Sequence, residues 1–186
     1  MGLIGEVAEP EFYVSFRDGL LDRFLASGWR AEKRNRLFRM VFRGSAVEVG
    51  SSASRLSASD GGAVEELFAD GDAFGERPPF FQRSSLDDGI YFGVWEDGRL
   101  IGLAGTLVLS AAEGVACVGN VYVRRDRRGR GLAGVVSGAV TAELVRLGIS
   151  TVALNVRTDN VPAIRAYERL GYVRYCDYEE ALVVRA

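Results

Sequence analysis

The run Val121-Tyr-Val-Arg-Arg-Asp-Arg-Arg-Gly-Arg-Gly-Leu-Ala133 joins a β-rich stretch to a glycine-containing turn, which opens directly into an apolar-patterned segment from Leu132 to Leu147. Gly129 and Gly131 permit a backbone that turns several N–H groups towards one point. A helix starting there adds its unpaired first amides and the positive end of its dipole. The layout suits an anion. Arg127, Arg128 and Arg130 add charge, and the paired donors of a guanidinium match phosphate oxygens. Two other nucleotide loops are excluded by spacing: no Gly-x-x-x-x-Gly-Lys-Ser/Thr occurs, and the turn is not Gly-x-Gly-x-x-Gly followed by an acidic strand end. A surface turn that merely caps a helix stays open as an alternative.

Downstream, Val152-Ala-Leu-Asn-Val156 precedes Asn160, Pro162, Ala163, Ile164, Tyr167-Glu-Arg-Leu-Gly171 and Tyr172. Residues 131 to 156 leave room for one helix and one strand, as a right-handed β–α–β crossover requires. Arg128, Gly131 and Ala133 fill the pattern Arg/Gln-x-x-Gly-x-Gly/Ala. Asn160, Ala163, Tyr167, Gly171 and Tyr172 fill Asn-x-x-Ala-x-x-x-Tyr-x-x-x-Gly-Phe/Tyr. With both patterns in order the chain resembles the GNAT N-acetyltransferase superfamily over residues 48 to 180, most specifically over 120 to 174.

The resemblance implies an α/β (α+β) fold: a mixed, mostly antiparallel central sheet with helices on both faces, here behind an N-terminal helix-strand extension. It implies acetyl-CoA as cofactor. The pantetheine arm would lie along Val121, Tyr122 and Val123, and the pyrophosphate on the backbone of Arg128, Gly129, Arg130, Gly131, Leu132, Ala133 and Gly134. Asn155, Asn160, Ala163 and Tyr167 would line the cofactor arm. In many members the tyrosine at the position of Tyr167 donates a proton to the departing sulfur. A phenol of pKa ~10 is protonated at neutral pH and can do so. The alternative for Tyr167 is a core residue of an amphipathic helix.

The implied reaction is N-acetylation of an amine on a small molecule or peptide, by direct attack in a ternary complex. The alternative is a non-catalytic GNAT-like module that senses CoA or acyl-CoA. The chain has no histidine, so a base must be a carboxylate, tyrosine, cysteine, relayed water or terminus. Some members carry a glutamate on the strand before the loop, but Val115 to Val123 has none. Asn120 holding a relay water is the first expectation, with Glu76 or Asp72, or a substrate that arrives already neutral, behind it.

Along the chain, the apolar residues Phe12, Phe16, Leu20, Leu21, Phe24 and Leu25 follow a helical period to Gly28, and Leu37 to Phe42 reads as a strand. Arg43-Gly44-Ser45 and the linker-like Gly50 to Ser54 place a boundary near residue 46, giving an extension (1–46) and a GNAT domain (47–186). Arg30, Lys33, Arg34, Arg36 and Arg39 cluster in the extension. It could complete the sheet, cover the acceptor site or contact a second copy in a homodimer.

Ser59 or Asp60 can cap a helix running through Phe68. The irregular stretch that follows holds Asp72, Phe74, Glu76 and Phe80, which the resemblance sets beside the acceptor cleft. Its acidic and aromatic character suits a cationic ligand, while Phe80 and Phe81 could equally turn into the core. Asp97-Gly98 signals a hairpin, and Gly148 and Gly171 signal helix stops.

At 48% hydrophobic content, 186 residues suffice for one core. A net charge of −2 gives no basic footprint for nucleic acid. No run approaches the ~20 apolar residues that span a bilayer, and no leader pattern opens the chain, so no membrane partner and a cytoplasmic location are expected. Cys117 and Cys176 lie far apart without a Cys-x-x-Cys. They read as reduced, buried cysteines that behave as small apolar residues, and no metal is expected.

Overall fold

The computed structural model describes residues 10–17, 19–45, 47 and 52–186. The boundary expected at residue 46, and part of the linker-like stretch after it, lie outside the described residues. In chain order the elements are β1 (Glu11–Arg17), α1 (Leu21–Leu25), β2 (Trp29–Phe42), β3 (Ala53–Arg55), α2 (Gly61–Asp72), α3 (Ser85–Asp88), β4 (Tyr91–Glu96), β5 (Arg99–Ser110), β6 (Val115–Val123), α4 (Leu132–Arg146), β7 (Thr151–Arg157), α5 (Val161–Arg169) and β8 (Tyr172–Arg185).

All the strands join one eight-stranded sheet in the order β1-β8-β2-β7-β6-β5-β4-β3. Every neighbouring pair is antiparallel except β6 with β7. The expected mixed, mostly antiparallel sheet is therefore present.

Local chemistry accounts for the turns that were legible. Asp97 (φ 49°) and Gly98 (φ 76°) both take positive φ, as a primed two-residue hairpin demands, and they join β4 to β5. Gly148 (φ 78°) and Gly171 (φ 98°) end α4 and α5 in the left-handed conformation that costs glycine nothing.

One expectation fails at the N-terminus. Phe12 to Arg17 is a strand, and only Leu21 to Leu25 is helical. Phe12 and Phe16 fit a period of four, but with Val14 between them they also fit a period of two. Pairing with β8 from Glu11↔Val184 to Arg17↔Tyr178 decides the matter. Phe12, Val14 and Phe16 then pack with Leu21, Phe24, Trp29, Ala181 and Val183. The strand read at Leu37 is also longer, starting at Trp29 and lying between β7 and β8.

Helices cover both faces. Leu103 turns to α2, joining Val64, Leu67, Phe68, Tyr91 and Tyr122. The next residue, Ala104, turns to α4 and joins Val136, Val140, Leu144, Val152, Leu154 and Val156. Each buried leucine or valine contributes roughly 1.5–3 kcal/mol relative to exposure, so these two clusters hold the sheet between its helices.

Candidate active site

The site begins where β6 and β7 part. They pair only from Val115↔Thr151 to Val118↔Leu154. Beyond this point β7 continues against β2 through Asn155↔Arg39 and Arg157↔Leu37, while β6 continues against β5 through Gly119↔Gly105 and Val123↔Gly102. A slot therefore opens between residues 119–123 and 155–157.

Its wall carries a β-bulge. Between Gly119 and Tyr122, β6 has one residue more than β5 has between Gly105 and Leu103, and Asn120 takes φ 50°. Such a backbone is strained for most side chains and tolerated by asparagine. The bulge turns Asn120 and Tyr122 to the α2 face, while Val121 packs against the α4 face. Asn120 is buried, and its amide donates to Tyr91 Oη at 2.8 Å; Tyr91 Oη in turn donates to the Thr106 carbonyl at 3.2 Å.

At the end of β6 the chain turns through residues 125–127 into the glycine loop. Gly129 (φ 79°) and Gly131 (φ 76°) are left-handed, and a Cβ added at either, or at Gly134, meets nothing within 4 Å. Gly131 is the N-cap of α4 and offers no side chain to its first amides. This fifteen-residue helix thus presents unpaired N–H groups and its dipole end to open space.

Carboxylates hold the surrounding arginines. Glu96 pairs with Arg127 at 2.5 Å and Arg130 at 3.4 Å. Glu76 pairs with Arg128 at 2.5 Å and Arg125 at 2.9 Å. The hydrogen bond from Arg128, assisted by Arg125, keeps the Glu76 carboxyl below its ordinary range. Arg125 stacks on Phe74 at 3.6 Å, and Arg128 lies 5.6 Å from the centre of the Tyr122 ring. Asp72 faces Arg77 at 3.6 Å. The structure thus brings Phe74 and Glu76 to the glycine loop, while Asp72 stays with Arg77.

Phe80 and Phe81 divide. Phe81 packs on Phe68 and Tyr91 at 5.0 and 6.0 Å, while exposed Phe80 reaches Tyr13 of β1 at 5.1 Å. The segment after α2 therefore crosses the open face of the sheet.

On the other face, Tyr167 projects from α5 into the core beside Tyr172, with ring centroids 6.2 Å apart. Burial pushes its phenol up to about 12, opposed in part by the nearby Ser137 hydroxyl. That hydroxyl is fully buried and has no hydrogen-bond partner among the described residues. Asn160 caps α5, its Oδ1 accepting from the Ala163 amide at 3.2 Å. Asn155 Oδ1 accepts from Arg39 Nε at 3.0 Å on the α2 face.

Other groups at the site were not legible from local sequence. Asp70 Oδ2 accepts from Tyr122 Oη at 3.0 Å and from the Arg125 amide at 2.9 Å, tying α2 to the start of the loop. Burial, then the Asp70 hydrogen bond, lifts the Tyr122 phenol to about 12. Gly71 admits this contact, since a Cβ there would stand 2.8 Å from Tyr122 Oη. Arg39 lies 4.3 Å from the centre of the Tyr178 ring. Glu180, two residues along β8 on the same face, has its carboxyl raised by burial and lowered in part by Arg39. Only the pairing of distant strands brings these residues together.

A mixed sheet opened between two parallel strands, with an uncapped helix N-terminus at the opening, defines a nucleotide-type anion site at a strand crossover. The profile of the Acetyltransferase (GNAT) family matches residues 62–172, and the chain belongs to that family. A mycothiol acetyltransferase of Geodermatophilus obscurus is 36% identical over 104 residues, covering 54% of this chain and 32% of that protein. One of Corynebacterium aurimucosum is 45% identical over 64 residues, covering 33% and 21%. The matched part of the chain thus spans a third or less of the length of these curated relatives.

Among solved structures, a GNAT-family protein from Novosphingobium aromaticivorans superposes with a TM-score of 0.78 at 24% identity, covering all of this chain and 79% of the other. That likeness concerns the fold. The family draws its acetyl group from acetyl-CoA, and the open glycine loop at the α4 N-terminus fits a pyrophosphate.

Proposed function

We propose that the chain is an acetyltransferase that moves an acetyl group from acetyl-CoA to an amine of a small molecule or peptide, by direct attack in a ternary complex. The observation that carries this reading is the slot between residues 119–123 and 155–157, with the uncapped N-terminus of α4 at its mouth. Backbone amides from Arg128 to Gly134 take the pyrophosphate, with charge from Arg128 and Arg130. Val121 to Val123 offer their free β6 edge to the pantetheine amides. Asn155, Asn160 and Ala163 border the arm, and Tyr167 supplies a proton to the departing sulfur.

The Tyr167 phenol, raised to about 12 by burial, is protonated through the working range and so carries the proton that the sulfur needs. Asn120 would serve through its bulge and through Tyr91 rather than as a free amide. Relatives named mycothiol acetyltransferase favour a small-molecule acceptor. Phe74, Glu76, Phe80 and Asp72 lie on the segment that would flank that acceptor. Among the described residues no helix is long and apolar enough to cross a membrane, which agrees with a cytoplasmic site of action.

Thiol release from acetyl-CoA across a panel of primary amines tests the reading. Turnover with at least one amine is the expected result. Saturable acetyl-CoA binding with no turnover on any amine would favour a sensor instead.

A further inference from the structure

The residues expected to serve the proton transfer are committed elsewhere: Asn120, the holder of a relay water, to Tyr91, and the carboxylates Glu76 to Arg125 and Arg128 and Asp72 to Arg77. The structure supplies another carboxylate.

Glu179 and Glu180 are consecutive on β8 and face opposite sides of the sheet. Glu179 is buried on the α1 side of the sheet, and its Oε1 takes two hydrogen bonds from Arg34, at 3.0 and 2.7 Å, while Arg34 also reaches Asp22 of α1. Its Oε2 is buried without a partner among the described residues, on the face turned away from Arg39 and Asn155. Glu180 pairs in register with Ser15 and Asn35 and therefore shares a face with Tyr178, Arg39 and Asn155, across which Phe80 reaches Tyr13. Among the described residues it makes no hydrogen bond or ion pair.

Its place along the sheet matters equally. β8 runs parallel to β7, and the β7 end, Arg157, lies level with Leu37 and Tyr178. Glu180 thus stands just past that end, on the side where the slot opens.

We propose, resting on the acetyltransferase reading, that Glu180 is the catalytic residue that binds the acceptor ammonium and removes its proton. The ammonium gives one proton to the Glu180 carboxylate, which passes it to water. The freed nitrogen lone pair attacks the thioester carbon, and the carbon–sulfur bond breaks with its electron pair on sulfur. The surplus proton on nitrogen replaces the one that the Tyr167 phenol gives to sulfur. The products are an amide, a thiol and one released proton.

The environment suits a base. Half-burial raises the carboxyl above its ordinary value, and Arg39 limits the rise. The other titratable groups on this face are Glu11, Tyr13 and Arg17 from β1, Arg30 and Lys33 from β2, Arg157 from β7, Cys176 and Tyr178 from β8 and, further off, Cys117 from β6; of these Glu11, Arg30 and Arg157 are exposed, and Arg157 is paired with Asp159. Arg17 and Lys33 are exposed and screened by solvent. Arg39, held by Asn155 and the Tyr178 ring, is the cation that tunes Glu180.

The test measures thiol release against pH for wild type, E180Q and E180D, with tyramine, putrescine, phenylethylamine and glycylglycine as acceptors, and acetyl-CoA affinity by calorimetry. E180Q should lose about 10²-fold or more in kcat/KM, the scale of a lost general base. It should also lose the acidic limb of the profile while keeping acetyl-CoA affinity. E180D should restore part of the rate and a limb. A wild-type rate and limb in E180Q would overturn the assignment alone, as would a wild-type kcat/KM in E180D should E180Q fail to fold, since the shorter carboxylate cannot reach the same proton equally well. No release by the wild type from any amine would overturn both this step and the activity on which it rests.

Discussion

Alternate residues of the same strands build the two faces of the sheet, and the faces differ in kind. On the α4 and α5 face, Val152, Leu154 and Val156 meet Val136, Val140, Leu144 and Tyr167 in an apolar layer. On the α2 face the intervening Asn155 meets Arg39, and beyond it lie Tyr178 and Glu180. One face is closed by packing. The other keeps polar groups under a segment that crosses from α2 to β1 through Phe80. The slot between β6 and β7 joins them, so a cofactor threaded from the helix side would meet an acceptor from the polar side.

The comparison can be broken most severely at the mouth of the slot. Gly131→Glu places a Cβ at φ 76° and a negative charge at the α4 N-terminus. Left-handed backbone costs ~1–2 kcal/mol for a residue with a Cβ, and the charge opposes the phosphates. Acetyl-CoA affinity should fall beyond calorimetric detection while the protein still folds.

Neighbouring positions then separate the faces. Leu154→Ala should cost about 2–5 kcal/mol in chemical denaturation, because it leaves a cavity in a buried layer. Asn155→Ala should cost about 1 kcal/mol yet lower turnover by releasing Arg39. Equal stability losses would contradict the distinction.

Tyr167→Phe should lower kcat about 10²-fold with acetyl-CoA affinity intact. An unchanged rate would mean that water or another group protonates the sulfur.

The same phenol gives an effect confined to alkaline pH. Because the folded Tyr167 phenol titrates near 12 rather than 10, the folded state holds its proton more tightly than the unfolded chain. Stability from this group is full below pH 10 and lost as pH rises towards 12, by roughly 2–3 kcal/mol. Tyr167→Phe should flatten that part of the stability curve, and a curve of unchanged slope would argue against the burial.

Much of the α4 face was legible because its signals are local. Glycines with positive φ at 129, 131, 148 and 171, a β–α–β spacing, and Asn160 at the start of α5 all lie within one stretch. The N-terminal strands were not legible: Phe12 to Arg17 satisfies two periods, and the partner that chooses between them, β8, is distant in sequence. The polar face was hidden for the same reason. Whether Glu179 or Glu180 faces the slot depends on the irregularity between Arg39/Cys176 and Met40/Arg174, which no residue pattern announces. Asn120 is visible in the sequence as a polar member of β6, but its positive φ and its bond to Tyr91 are products of the bulge.

The most direct test of the account is calorimetric titration of the wild-type protein with acetyl-CoA, repeated with ATP and with Gly131→Glu. Saturable one-to-one binding of acetyl-CoA, weak binding of ATP and loss of the signal in the variant are predicted. Absence of acetyl-CoA binding, or equal affinity in Gly131→Glu, would contradict it and reduce the glycine loop to a helix cap.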